Sequence, residues 1–202
     1  MSAFKSIDFY FDFSSPYAFF SIDKIERLAN EYNRTLNWKP ILLGVIIKET
    51  GNLVLREQPL KSEYALNDWN RISRYDNIDW SFPSKFPVSS VNAARLFYLI
   101  SEREKNTGVK FAKEVFKAYF VQNIDISCLD ELIRIAECCE IDRGNLESSL
   151  NEKSVKLRLR EETANAIESG VVGSPFFVID GEPFWGSDRM WMIKRWLKSG
   201  GW

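Results

Sequence analysis

Ser14-Ser15-Pro16-Tyr17 ends an alternating apolar run and opens a helical one, which makes Ser15 the first residue to consider for chemistry. The plainer reading is structural: serine caps helices by accepting a backbone N–H, and proline is favoured at the first helical position. The same geometry suits an anion, because first-turn N–H groups and the helix dipole favour negative charge, a thiolate included. A hydroxyl donating to a thiolate adds a charge-assisted hydrogen bond of roughly 1.5–3 kcal/mol. With the helix end, the sum of roughly 2–4 kcal/mol would largely ionise, at neutral pH, a thiol whose free pKa is about 8.5. Serine without a base is a poor nucleophile. Histidine is absent, which excludes Ser-His and Cys-His pairs and histidine metal sites. The three cysteines, Cys128, Cys138 and Cys139, form no Cys-x-x-Cys pair and no metal-ligand spacing, so no metal is expected. Thiol chemistry here would use a thiol that the protein binds rather than owns.

Two further loops sit where chain direction changes. Gly173-Ser174-Pro175 leads into Phe176-Phe177-Val178. Proline entering a strand is ordinary, with a trans peptide as the default. A cis peptide there would expose the N–H and C=O of Ser174 for pairing with an extended peptide. Trp185-Gly186-Ser187-Asp188-Arg189 opens the last helix, with Ser187 or Asp188 available as its cap. Left uncapped, its N–H groups suit a carboxylate and Asp188 suits an ammonium, the two groups of an amino-acid or γ-glutamyl head.

The elements that must position these loops follow from periodicity. Ile7, Phe9, Phe11 and Phe13 alternate with Asp8, Tyr10 and Asp12 as a strand, and Tyr17 to Tyr32 recurs at helical spacing. A second strand is expected from Leu36 to Leu43, completing a β-α-β unit. Gly51-Asn52 begins a loop, and Pro59 leads a polar helix to about Tyr75. Helices are expected near 90–103, 109–122, 127–138 (with Ser127 as N-cap) and 151–168. Asp180-Gly181 then reads as a hairpin turn between strands 176–179 and 182–185. Trp80, Phe82 and Phe86 read either as walls of an aromatic pocket or as packing residues.

Bulk properties exclude whole classes. A net charge of −1 with basic residues scattered among acidic ones argues against nucleic acid as partner. Hydrophobic content of 45% and charged content of 27% are those of a soluble globular chain. Met1 to Ile7 carries Lys5 and no apolar core, so it is no secretory signal, and no stretch is long enough to span a membrane. A cytoplasmic location without a membrane partner is the expectation.

Asp8-Phe9-Tyr10-Phe11-Asp12-Phe13-Ser14-Ser15-Pro16-Tyr17 resembles the opening of 2-hydroxychromene-2-carboxylate isomerases and the related kappa-class glutathione transferases. Gly173 to Val178 with Phe184 to Arg189 is similar to their C-terminal signature, and Gly51-Asn52, Lys61 and Phe82-Pro83 fall in matching order between the ends. The resemblance implies an α/β, thioredoxin-like fold related to bacterial disulfide oxidoreductases, β-α-β…β-β-α with a large all-helical insertion. The units would be residues 1–47 plus 170–202, with 48–169 inserted. It further implies a homodimer with glutathione bound between the units. By motif position Ser15 would face the glutathione sulfur, flanked by Pro16 and Tyr17. Ser174, before a cis-Pro175, would pair with the tripeptide backbone; Ser187 and Asp188 would hold the γ-glutamyl head, and Asn52 and Lys61 the rest of the peptide. Relatives commonly carry an apolar residue in place of Ser174, a departure expected to matter little where the contact is made by backbone.

The implied activity is a glutathione-dependent isomerisation of the hydroxychromene-carboxylate type, within aromatic catabolism. Conjugation of glutathione to electrophiles is the alternative activity, and a non-catalytic glutathione- or peptide-binding module the alternative of another class. A thiol–disulfide oxidoreductase would need two thiols at positions that fall on Ser15 and Ala18.

Overall fold

The computed structural model describes residues 6–144 and 146–202. The reading of Met1 to Ile7 as free of a leader, and the first five positions of the 1–47 unit, lie partly or wholly outside the described residues. Alternation in the opening segment produces β1 (Ser6–Phe11). Its inward side chains Ile7, Phe9 and Phe11 are fully buried, with Phe9 stacked on Phe177 at 5.2 Å and meeting Trp38 edge-on at 5.3 Å. One mixed sheet of four strands runs in the order β2-β1-β3-β4. β2 (Thr35–Pro40) is parallel to β1, whereas β3 (Phe176–Ile179) is antiparallel to β1 and to β4 (Glu182–Trp185). Asp180 and Gly181 both take positive φ, as a two-residue hairpin turn that matches strand twist requires. The order β-α-β, helical block, β-β-α is thus the expected thioredoxin-like one.

The first helix departs from expectation. Instead of running unbroken to Tyr32, it stops after one turn as α1 (Pro16–Phe19) and resumes as α2 (Ile22–Glu31). At the break the Ser21 hydroxyl donates to Tyr17 O at 2.6 Å, while Ser21 N–H tightens onto Ala18 O. Serine competing for backbone acceptors is a known source of helix bending. Packing rewards the break: Ala18, Ile22 and Ile25 join the sheet's core, whereas Phe20 turns toward Ala65 and Trp69.

The second strand is also shorter than expected. It ends at Pro40, and α3 (Leu43–Glu49) follows, a helix whose own sequence supplies no capping side chain. The missing cap comes from elsewhere: Asp12 Oδ2 accepts the Leu43 N–H at 2.8 Å.

The inserted block contains α4 (Pro59–Asp76), α5 (Val91–Arg103), α6 (Lys105–Phe120), α7 (Leu129–Cys138), α8 (Leu146–Leu150) and α9 (Lys153–Glu168). Ser127 does not cap α7; its hydroxyl donates to Asp125 at 2.5 Å, and Cys128 occupies the cap position without a side-chain bond. On one face of the sheet, α6 meets β1 directly, Phe116 lying 5.6 Å from Phe11. On the other, Tyr10 and Phe176 pack with Ile46 of α3 and Ala166 of α9. The closing helix α10 (Met190–Ser199) buries Ile193 and Leu197.

Candidate active site

Three loops converge at one end of the sheet, and backbone constraint explains how. The loop after β1 is a tight turn in which Ser15 N–H donates to Asp12 O at 2.9 Å. Asp12 is 3% exposed, and its Oδ1 accepts Ser14 N–H at 2.8 Å and the Ser14 hydroxyl at 2.7 Å. With Leu43 N–H on the other oxygen, one buried carboxylate ties the turn to the start of α3. Ser15 caps α1 from extended φ/ψ, accepting Ala18 N–H at 3.3 Å. The hydroxyl also donates, to Ser174 O at 3.0 Å. Ser15 is therefore both the cap and the contact point to a second loop, and it is only 4% exposed.

That second loop carries a cis peptide at Ser174-Pro175. Its side chain is engaged as well: Ser174 Oγ accepts Asp12 N–H at 2.9 Å. The hydroxyl at this position is accordingly part of the assembly, an engagement additional to the backbone contact expected of Ser174. The third loop is fastened to the second by Gly186 N–H on Pro175 O at 3.0 Å. Trp185 covers Gly173 so closely that a Cβ there would stand 2.3 Å from the indole nitrogen. Ser187–Arg189 form a single 3-10 turn entered through Gly186 at φ 106, and among the described residues no side chain caps that turn or α10. The cap reading of Ser187 and Asp188 is thereby set aside, and Asp188 is left exposed with Arg189 at 2.5 Å as its ion-pair partner.

Across the opening stands α4. Tyr17 OH donates to Asp68 Oδ2 at 3.1 Å, and Arg71 donates to Asp68 Oδ1 at 2.6 Å. Burial first, then the charge of Asp68 and its hydrogen bond, and then Tyr64 and Asp188, push the Tyr17 hydroxyl far above its ordinary pKa. Tyr17 is thus a neutral donor at physiological pH, within electrostatic reach of Asp188 on the third loop. Lys61, Tyr64 and Asp68 share one face of α4 at helical spacing. Asn52 and Lys61 are exposed, and among the described residues neither makes a hydrogen bond to Ser15, Ser174, Ser187 or Asp188. The Asn52 amide instead donates to Thr50 Oγ1 at 2.9 Å.

Below Tyr17 the aromatic residues pack against one another. Trp69 stacks on Phe82 at 6.0 Å, Trp80 lies 5.0 Å from Phe20 and 5.3 Å from Phe120, and Trp80 Nε1 donates to Asn70 at 3.0 Å. Trp80 and Phe86 pack within this aromatic group, with Phe82 half-exposed.

With this geometry the sequence comparison is decisive: residues 6–198 match the DSBA-like thioredoxin domain family. The chain belongs to that family. It is 28% identical over 93% of its length to a 2-hydroxychromene-2-carboxylate isomerase of Pseudomonas putida, covering 92% of that protein. It is 27% identical over 94% of its length to glutathione S-transferase kappa 1 of Rattus norvegicus, covering 89% of that protein. A solved structure of 2-hydroxychromene-2-carboxylate isomerase superposes with a TM-score of 0.84 at 28% identity, covering 95% of this chain and 94% of the other. The resemblance read from the two end motifs is borne out.

This DSBA-like protein carries no activated cysteine at the site. Cys128 and Cys138 are exposed on the helical block, and Cys139 is buried next to Cys138. Burial pushes the Cys139 thiol up, the opposite of what a nucleophilic thiolate needs. Asp12 is not among the candidate residues legible in the sequence, where it alternates with Phe11 and Phe13 on the opposite face of a strand. Its place three residues before the helix-capping Ser15 was the available signal.

Proposed function

We propose that the protein is a glutathione-dependent isomerase of the 2-hydroxychromene-2-carboxylate type, with Ser15 as the group that stabilises the glutathione thiolate. The observation that carries this reading is the Ser15 hydroxyl, poised at the junction of two loops with neither histidine nor cysteine beside it. The donor set fits glutathione: a neutral hydroxyl for the sulfur, the backbone of Ser174 for the peptide, uncapped N–H groups at Ser187–Asp188 for a carboxylate, and Asp188 for an ammonium. When bound, glutathione supplies a thiolate that adds reversibly to an unsaturated aromatic substrate and is regenerated.

The residues of the chain have definite work in this scheme. Ser15 has a single proton, and in this structure Ser174 O holds it. Donation to a thiolate therefore exchanges a neutral hydrogen bond, about 0.5–1.5 kcal/mol, for a charge-assisted one of about 1.5–3 kcal/mol. The net advantage is roughly 1–2 kcal/mol, less than the isolated motif suggests. The helix contribution also shrinks, because α1 ends after four residues and aligns a single turn of dipoles. Pro16 and Tyr17 flank the sulfur position, Asn52 and Lys61 lie along the outer part of the peptide, and Tyr17 closes the α4 side as a neutral donor.

Conjugation of glutathione to an electrophile is the second reading, favoured by the kappa-class relatives. A homodimer belongs to the same scheme; Leu53, Leu60 and Tyr64, all well exposed, offer apolar surface for a second copy. So does a cytoplasmic setting, and no helix among the described residues is long and apolar enough to cross a membrane. Time courses with substoichiometric glutathione separate the activities: an isomerase turns over many substrate molecules per glutathione, whereas a transferase consumes one for each product. Ser15→Ala should lower kcat about 5–30-fold while leaving glutathione affinity within about twofold. Absence of any binding isotherm at millimolar glutathione sinks both readings. Binding without turnover leaves the non-catalytic module.

A further inference from the structure

Ser174 holds both ends of the turn that presents Ser15. Its hydroxyl oxygen accepts the N–H of Asp12, the first residue of the turn, at 2.9 Å. Its carbonyl accepts the hydroxyl of Ser15, the last residue, at 3.0 Å. Strand register explains the arrangement. β1 and β3 pair Ile7 with Ile179 and Tyr10 with Phe176, so the same antiparallel register continued would set Asp12 opposite Ser174. The ladder has ended there, and Pro175 has no N–H to contribute. The Ser174 side chain supplies the acceptor for Asp12 that the backbone ladder no longer provides.

We infer that Ser174 is a positioning residue of this site, its hydroxyl fixing the 12–15 turn so that the Ser15 proton is aimed where the two loops meet. A smaller or apolar side chain leaves Asp12 N–H without this acceptor and lets the turn slide relative to the second loop. The turn would then keep its internal Ser15 N–H to Asp12 O bond, the Ser15 hydroxyl on the retained backbone carbonyl, and the Asp12 carboxylate's bonds to Ser14 and Leu43. Ser174 acts through Ser15, and in this it differs from the backbone contact proposed above. The inference rests on the reading of Ser15 as donor to a bound thiolate.

Valine and threonine have the same shape and differ by the hydroxyl, so Ser174→Val and Ser174→Thr form the controlled pair, with Ser174→Ala as the simple deletion. On the protein without glutathione, backbone hydrogen exchange at Asp12 should quicken at least about tenfold in the alanine and valine variants and stay within about threefold of wild type in the threonine variant. With glutathione bound, the pH titration of thiolate absorbance should move to higher pH in the alanine and valine variants. Their kcat should fall about 3–10-fold with KM for glutathione within about twofold, and threonine should restore both. Wild-type exchange at Asp12 in Ser174→Ala, or an unshifted thiolate titration in a variant whose exchange has quickened, overturns the inference. The broader reading fails differently: wild-type protein would then show no thiolate band with millimolar glutathione, while exchange at Asp12 would still report on the clamp.

Discussion

Asp12 is the residue on which the geometry of the site depends most. Its carboxylate is buried, and its two oxygens accept backbone N–H groups of two different segments, with the Ser14 hydroxyl on one of them. Deleting it leaves part-buried N–H groups at Ser14 and Leu43 without this acceptor, each costing up to about 1–3 kcal/mol. Asp12→Ala is therefore expected to destabilise the fold by about 2–4 kcal/mol, lowering Tm by about 5–15 °C. Asp12→Asn, which keeps one acceptor oxygen, should fall between. A loss below about 1 kcal/mol in chemical denaturation would falsify this role. Ser15 differs in kind. Under the proposed function its hydroxyl exchanges one partner for another, so its removal is expected to tell on turnover as well as on stability, through the lost cap of α1.

Among the elements, α4 meets the helical turn carrying Tyr17. Its Asp68 takes the Tyr17 hydroxyl, and its Trp69 meets the Tyr17 ring edge-on at 5.9 Å. Two further tyrosines fasten elements in the same way: Tyr98 of α5 donates to Pro40 O and Tyr119 of α6 to Lys85 O, each at 2.8 Å. Burial, foremost, drives all three hydroxyls well above the ordinary tyrosine pKa of about 10. A folded-state pKa raised above the unfolded value gives stability that is complete below about pH 10 and lost as pH climbs above it. At pH 11 at least these three of the seven tyrosines should remain protonated in ultraviolet titration and ionise on adding urea. Ionisation of all seven in the folded protein at that pH would contradict the packing described. The sequence showed α4 as a polar helix after Pro59, yet nothing local marked Asp68 as the partner of Tyr17, 51 positions away. Likewise the break between α1 and α2 and the existence of α3 were not legible. Each depends on a bond or packing partner supplied by another segment.

At the scale of the whole molecule, one continuous core joins β1 and β3 to α5, α6 and α7. We propose that residues 1–47 plus 170–202 and residues 48–169 are architectural units, with α3 spanning the first seam, and that they share a single core energetically. Thermal unfolding followed by far-ultraviolet circular dichroism and by tryptophan fluorescence should therefore give coincident transitions. Two separated transitions would mean that the inserted helices melt by themselves. The sequence alone determined the order of strands and most helices, because period-2 and period-3.6 apolar patterns are local and survive any long-range arrangement. It also determined that neither a histidine nor a Cys-x-x-Cys pair is available to the site. Tertiary structure alone decided which hydroxyl and backbone groups meet. Ser15, Asp12 and Ser174 come together through hydrogen bonds reaching across 159 and 162 positions of chain. Such bonds form only when the antiparallel register of β1 and β3 has already set the two loops side by side.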